Sequence, residues 1–139
     1  MYDYLSDIEN KIRKYFITIH QVEKLKIELN QVMKCYEDLN GIKRNYDLMK
    51  KDTCYIESKM YKTKGKILAI QEKLSEASVE YKLLDMTMHS LDGEDMQLMK
   101  LRYADNLKYD KIAESLYISK STAFRKNKKV IMKIADNLN

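Results

Sequence analysis

Between Lys120 and Lys133 the chain carries side chains suited to recognition rather than bond-making. Lys120, Arg125, Lys126, Lys128, Lys129 and Lys133 supply six cations in fourteen residues, and Ser121 and Thr122 place short hydroxyls among them. No acid occurs from Tyr117 to Ala135. Cations at this density neutralise phosphates and release counterions, while polar and guanidinium groups at the start of a helix read base edges in a major groove. Elsewhere the reactive residue types do not converge. Cys35 and Cys54 lack CxxC spacing, His20 and His89 stand alone, and no glycine-rich phosphate loop, nucleophile motif or pair of catalytic carboxylates occurs. The expectation is a protein that is not an enzyme and uses no cofactor or metal. Its DNA-reading surface centres on Lys120, Ser121, Thr122, Arg125 and Lys126, with Lys128, Lys129 and Lys133 biased toward phosphate.

Those side chains need a helix to present them and a second helix to hold it. Ala123, Val130, Ile131 and Ile134 recur at helical spacing and define the inner face of a C-terminal helix. Ile112, Ala113 and Leu116 define that of a short preceding helix, with Ile118 in the turn between them. Ser119 stands where an N-cap hydroxyl would accept from the next turn. This pattern predicts a helix-turn-helix. Charge is concentrated with it: residues 100–139 hold ten Lys or Arg and four Asp or Glu, whereas residues 1–99 hold sixteen and seventeen. The overall +5 therefore comes from the last quarter of the chain.

The segment LDGEDMQLMKLRYADNLKYDKIAESLYISKSTAFRKNKKVIMKIA resembles region 4 of bacterial sigma factors, which reads the promoter −35 element. The resemblance rests on Leu101-Arg102-Tyr103, Tyr109 with Ile112-Ala113, Leu116, and Ile118-Ser119 opening the last helix. Phe124 beside Arg125, after Ser121-Thr122, is more similar to phage late-gene transcriptional activators of the ArpU/RinA type. The resemblance implies a phage or prophage activator that works with bacterial RNA polymerase at a promoter. Three positions depart from the family pattern. Tyr117 replaces the small turn residue, Lys108 replaces a capping Ser or Thr, and Asn127 falls on the inner face where an apolar residue is usual.

The rest of the sequence predicts long helices. From Met60, the positions Met60, Thr63, Ile67, Ile70, Leu74, Ala77, Tyr81, Leu84, Met88 and Leu91 step by three and four. A second seam runs through Leu5, Ile8, Ile12, Tyr15, Ile19, Val22, Leu25, Leu29, Val32, Tyr36 and Leu39. Asp3 or Ser6 is the expected cap of this first helix, Asn40-Gly41 its end, and Gly65 the start of the second. Between them, residues 41–65 carry seven Lys or Arg against three Asp or Glu, and residues 67–99 two against seven. That opposition suggests either pairing of the two segments or an acidic helix that keeps the N-terminal region off DNA.

The expected architecture is therefore all-α, with long N-terminal helices bearing coiled-coil seams in an assembly or partner region over 1–92. A helix-turn-helix DNA-binding module follows over 93–139, after a joint at Ser90–Gly93. No run of 18 apolar residues and no apolar signal core occur, so the expected location is cytoplasmic, at the nucleoid of a bacterial host. The expected partners are double-stranded DNA, bacterial RNA polymerase by resemblance, and a second copy of the chain. Two alternatives stay open: a phage terminase small subunit, which also joins DNA binding to helical assembly, and a coiled-coil adaptor whose basic end binds an acidic protein.

Overall fold

The structure, a computed structural model, describes residues 2–138, with residues 2, 3 and 80 described in backbone alone. Its elements are α1 (Tyr2–Leu48), α2 (Cys54–His89), α3 (Gly93–Met99), a π-helical turn (Lys100–Ala104), α4 (Tyr109–Leu116) and α5 (Lys120–Leu138). The fold is all-α, and the described residues form no strand. No helix among them is long and apolar enough to cross a membrane.

Both seams face inward. Every position of the two series is buried or half-buried, with Ile8, Ile12, Tyr15, Val22, Ile70, Met88 and Leu91 the most enclosed. The helix ends differ from expectation. α1 begins ahead of Ser6 and runs through Asn40-Gly41 to Leu48; the expected cap at Asp3 involves a side chain outside the described residues. A glycine inside a helix costs only about 0.5–1 kcal/mol relative to alanine, and the helix continues past it with Lys43 and Tyr46 both half-buried. Termination comes instead at Lys50, which adopts φ 57°. There the Lys51 N–H donates to the Tyr46 carbonyl at 2.8 Å and the Lys50 N–H to the Asp47 carbonyl at 3.1 Å, the double closure of a Schellman end.

α2 likewise starts well before Gly65. Asp52 Oδ1 accepts from the Cys54 N–H at 3.0 Å, and Thr53 Oγ1 donates to Glu57 at 3.1 Å. The Cys54 backbone N–H holds the Asp52 carboxyl below its ordinary pKa. The first of these bonds satisfies a donor that would otherwise be orphaned in the first turn, so α2 needs no glycine to start.

The chain divides into two compact units, one of residues 21–80 and one built from residues 1–20 and 81–139. In the first, α1 and α2 run as a helical hairpin. Lys43 pairs with Glu57 at 3.5 Å, and the Lys64 ammonium lies 6.0 Å from the Tyr36 ring centre. Among the described residues no ion pair joins the basic connector to the acidic stretch beyond it; the acid partnering Lys43 belongs to the connector itself. Cys35 and Cys54 are both free and exposed.

The second unit has a single core. Ile8, Ile12 and Tyr15 of α1 and Met88 of α2 enclose Leu98, Met99, Ile112, Ala123, Ile131 and Ile134. The joint at Ser90–Gly93 is present, with the Asp92 carboxylate accepting from the Asp95 N–H at 2.8 Å to cap α3. It does not separate two cores, because the first turns of α1 pack with residues 93–138. Apolar burial decides this: three short helices offer too little area to shield Met99, Ile112 and Ile134 from water.

Ala113 sits at the approach of α4 to α5 and is buried. Ala113→Leu adds methylenes at a buried core position, so it should destabilise this unit by about 1–3 kcal/mol. A thermal melt at the unmodified midpoint would contradict the packing described.

Candidate nucleic-acid interface

α4 ends and α5 begins through three residues, Tyr117, Ile118 and Ser119. Tyr117 takes φ 56° and ψ 44°, the left-handed conformation normally given to glycine. The Ile118 N–H donates to the Ala113 carbonyl at 3.0 Å, closing α4 in the same double pattern that ends α1. Ile118 thereby turns its side chain back toward the core beside Leu116. Ser119 then caps α5, its Oγ accepting from the Thr122 N–H at 3.2 Å and donating to Thr122 Oγ1 at 2.7 Å.

Tyr117 is 94% exposed, so its ring contributes nothing to the core while its backbone is strained. The left-handed region costs an L-residue roughly 1–2 kcal/mol. Tyr117→Gly should therefore raise the stability of this unit by about 1 kcal/mol, read as a higher thermal midpoint. A lower midpoint would mean that the ring makes contacts absent from this structure.

α5 separates two faces cleanly. Ala123, Asn127, Val130, Ile131, Ile134 and Ala135 are buried, while Lys120, Ser121, Arg125, Lys126, Lys128, Lys129 and Lys133 are exposed. Thr122 is half-buried and committed to the cap, which makes it a brace for the turn rather than a free contact. Lys120 pairs with Asp110 of α4 at 3.2 Å, and Lys133 approaches Asp95 of α3 at 3.9 Å. Arg125 and Lys129 point most directly away from the core at 100° per residue.

The cationic face is not uniform. Lys126, Lys129 and Lys133 border a cleft of about 690 Å³ whose other rim is Asp92, Glu94 and Asp95. Acids on the opposing rim reduce the potential these lysines present to a phosphate. Lys128 and Arg125 lie outside that cleft.

Behind the face lies a polar cluster that sequence reasoning did not anticipate. Buried Asn127 donates through Nδ2 to the hydroxyls of Tyr103 and Tyr109, both at 2.9 Å. Tyr103 in turn donates to Glu9 of α1 at 2.9 Å, and the Arg13 guanidinium lies 5.1 Å from its ring centre. The Arg102 guanidinium lies 4.3 Å from the Tyr109 ring centre, and its NH1 donates to the Leu107 carbonyl at 3.0 Å. Burial pushes the Tyr103 phenol above its ordinary pKa; the Asn127 amide works against that shift and Glu9 adds to it. The Nδ2 of this amide on the inner face of α5 is thus shared between two phenols while its Oδ1 is buried without a partner among the described residues, and α5 is tied to α4, to the π-helical turn and to α1.

The π-helical turn makes this cluster possible. The Asp105 N–H reaches back five residues to the Lys100 carbonyl at 2.9 Å, and Asn106 follows at φ 56°. The extra residue in the turn carries Tyr103 into the core. Lys108 precedes α4 without a side-chain cap, as its residue type implies.

Phe124 is a second feature given no role from sequence. It is 55% exposed on α5, one residue before Arg125, with its ring edge-on to Tyr109 at 5.3 Å between centres. Among the described residues no group of three or more His, Cys, Asp or Glu is placed to hold a metal ion.

Comparison with protein-family models, curated proteins and solved structures finds no match for this chain. The functional reading therefore rests on the residues and their geometry.

Proposed function

We propose that the chain is a sequence-specific DNA-binding transcriptional regulator, a phage or prophage activator acting with bacterial RNA polymerase. α4 and α5 form its helix-turn-helix, and α5 is the recognition helix in the major groove. The observation that carries this reading is the exposed face of α5 from Lys120 to Lys133, which holds six cations and no acid beyond a capped three-residue turn. Such a helix gains from phosphate neutralisation along its length and presents Ser121 and Arg125 to base edges near its start. Genome-wide footprinting of the tagged protein in a bacterial host tests it. The expected result is a small set of sites upstream of transcribed genes, with transcription rising when the protein is supplied. Binding confined to a packaging site would favour the terminase alternative, and no bound DNA would favour the adaptor.

The reading includes a homodimer. In the hairpin most seam positions remain only half-buried, and Leu68 and Tyr61 are exposed beside half-buried Met60 and Tyr36. A second copy would cover that apolar surface and pair two recognition helices, with the affinity gain that linked modules bring. Light scattering at micromolar concentration should give more than one chain per particle, and Tyr61→Asp with Leu68→Asp should lower that mass. A monomer mass for the unmodified protein would reject the dimer.

A further inference from the structure

The second basic region of the chain lies on α2. Tyr55, Lys59, Lys62, Lys66 and Lys73 are separated by four, three, four and seven residues. At 100° per residue they fall within an arc of about 60°, and Lys59 to Lys73 spans about 21 Å of helix axis. All five are exposed, and Ala69, also exposed, occupies the one intervening position of the stripe. Among the described residues none of the four lysines is ion-paired with an acid. Glu57, the acid nearest the start of the stripe, is already taken by Lys43 and Thr53. Lys59 instead sits over the Tyr55 ring, 4.8 Å from its centre.

Like charges three and four residues apart on one helix face repel, so α2 carries a standing electrostatic cost here that a polyanion would relieve. The composition of the stripe selects the kind of polyanion. A protein partner would need an apolar centre to dock on, and lysine is depleted from such centres. The stripe has no aliphatic residue larger than alanine, and its point charges are spaced for a row of phosphates.

We propose that Lys59, Lys62, Lys66 and Lys73 form a second DNA-phosphate contact, independent of α5 and indifferent to sequence. This rests on duplex DNA being the partner of the chain, and it adds non-specific affinity to whatever α5 reads.

The test is fluorescence anisotropy of full-length protein on a random-sequence 30-base-pair duplex, repeated across a series of NaCl concentrations. Replacing Lys59, Lys62, Lys66 and Lys73 by Gln should flatten the slope of log affinity against log salt by about three to four units. A charge-matched control, with Lys11, Lys24, Lys34 and Lys82 replaced by Gln, should change the slope by less than about one unit. All four control lysines are exposed and lie off the stripe. An unchanged slope in the stripe variant would overturn the inference, as would an equal loss in the control. A third variant, with Arg125, Lys128 and Lys129 replaced by Gln, keeps the two readings apart. If it retains the unmodified slope while the stripe variant loses its share, α5 is not the DNA reader but the stripe stands. If it alone loses slope, the stripe falls and α5 stands.

Discussion

Ile12→Asp is expected to unfold the unit that holds α4 and α5, although residue 12 lies more than a hundred positions from α5's buried face. Ile12 is 0% exposed, in one cluster with Met99, Ile112 and Ile134. Removing an isoleucine from such a site costs about 2–5 kcal/mol. An unpaired carboxylate there adds its own desolvation penalty. Together these approach the whole stability of a small domain, about 5–15 kcal/mol. Circular dichroism should show loss of cooperative melting, and sequence-specific DNA binding should disappear with it. Ile17→Asp, on the same helix but 59% exposed, should change stability by no more than about 0.5 kcal/mol. Retention of a cooperative melt by Ile12→Asp would mean that residues 93–138 fold without α1.

Within α5 the largest functional loss is expected from replacing Arg125, Lys126 and Lys129 together by Ala. Arg125 alone should cost about 1–3 kcal/mol on a preferred site if its guanidinium forks onto a guanine edge, and should relax one base position. Lys129→Ala should weaken all sequences alike and flatten the salt slope by about one unit. Lys133→Ala should do less, because Asp95 already shares its charge at 3.9 Å. The combined variant should lose both preference and most affinity while melting like the unmodified protein, since all three side chains are exposed. Unchanged affinity in that variant would remove α5 from the contact surface.

These two results bear on different parts of what the sequence disclosed. Periodicity picked out positions that are all buried or half-buried, because a helix that buries one face must repeat apolar residues every three or four positions whatever covers them. The Ser119 cap was readable for a similar reason: its chemistry is local, a hydroxyl three residues before the N–H it accepts from. The glycines at 41 and 65 misled, since their helix-breaking tendency is weak beside the packing of a long hairpin, and neither adopts positive φ. Lys50 and Tyr117 show the converse, taking left-handed conformations that their residue types do not announce.

Contacts across the chain were least legible. Glu9 meets Tyr103, ninety-four residues away, and Asn127 meets Tyr103 only because a π-helical turn rotates that phenol inward. Seen alone, Asn127 is an amide misplaced on an apolar face; with two phenols beside it, it is a hydrogen-bonded core residue. The same long-range packing draws the start of α1 into the unit with α4 and α5, where a linear reading places the boundary at 92/93. Cationic residues on α5 could be named from sequence because charge and helix phase are local. The acids at 92, 94 and 95 that face three of them could not.

Selection of bound duplexes from a random pool, with the unmodified protein and Arg125→Ala side by side, tests the central claim most directly. The account predicts one enriched motif for the unmodified protein and the same motif with a single relaxed position for the variant. Enrichment of no motif, or of an identical motif by both proteins and by the combined Arg125, Lys126 and Lys129 variant, would contradict it.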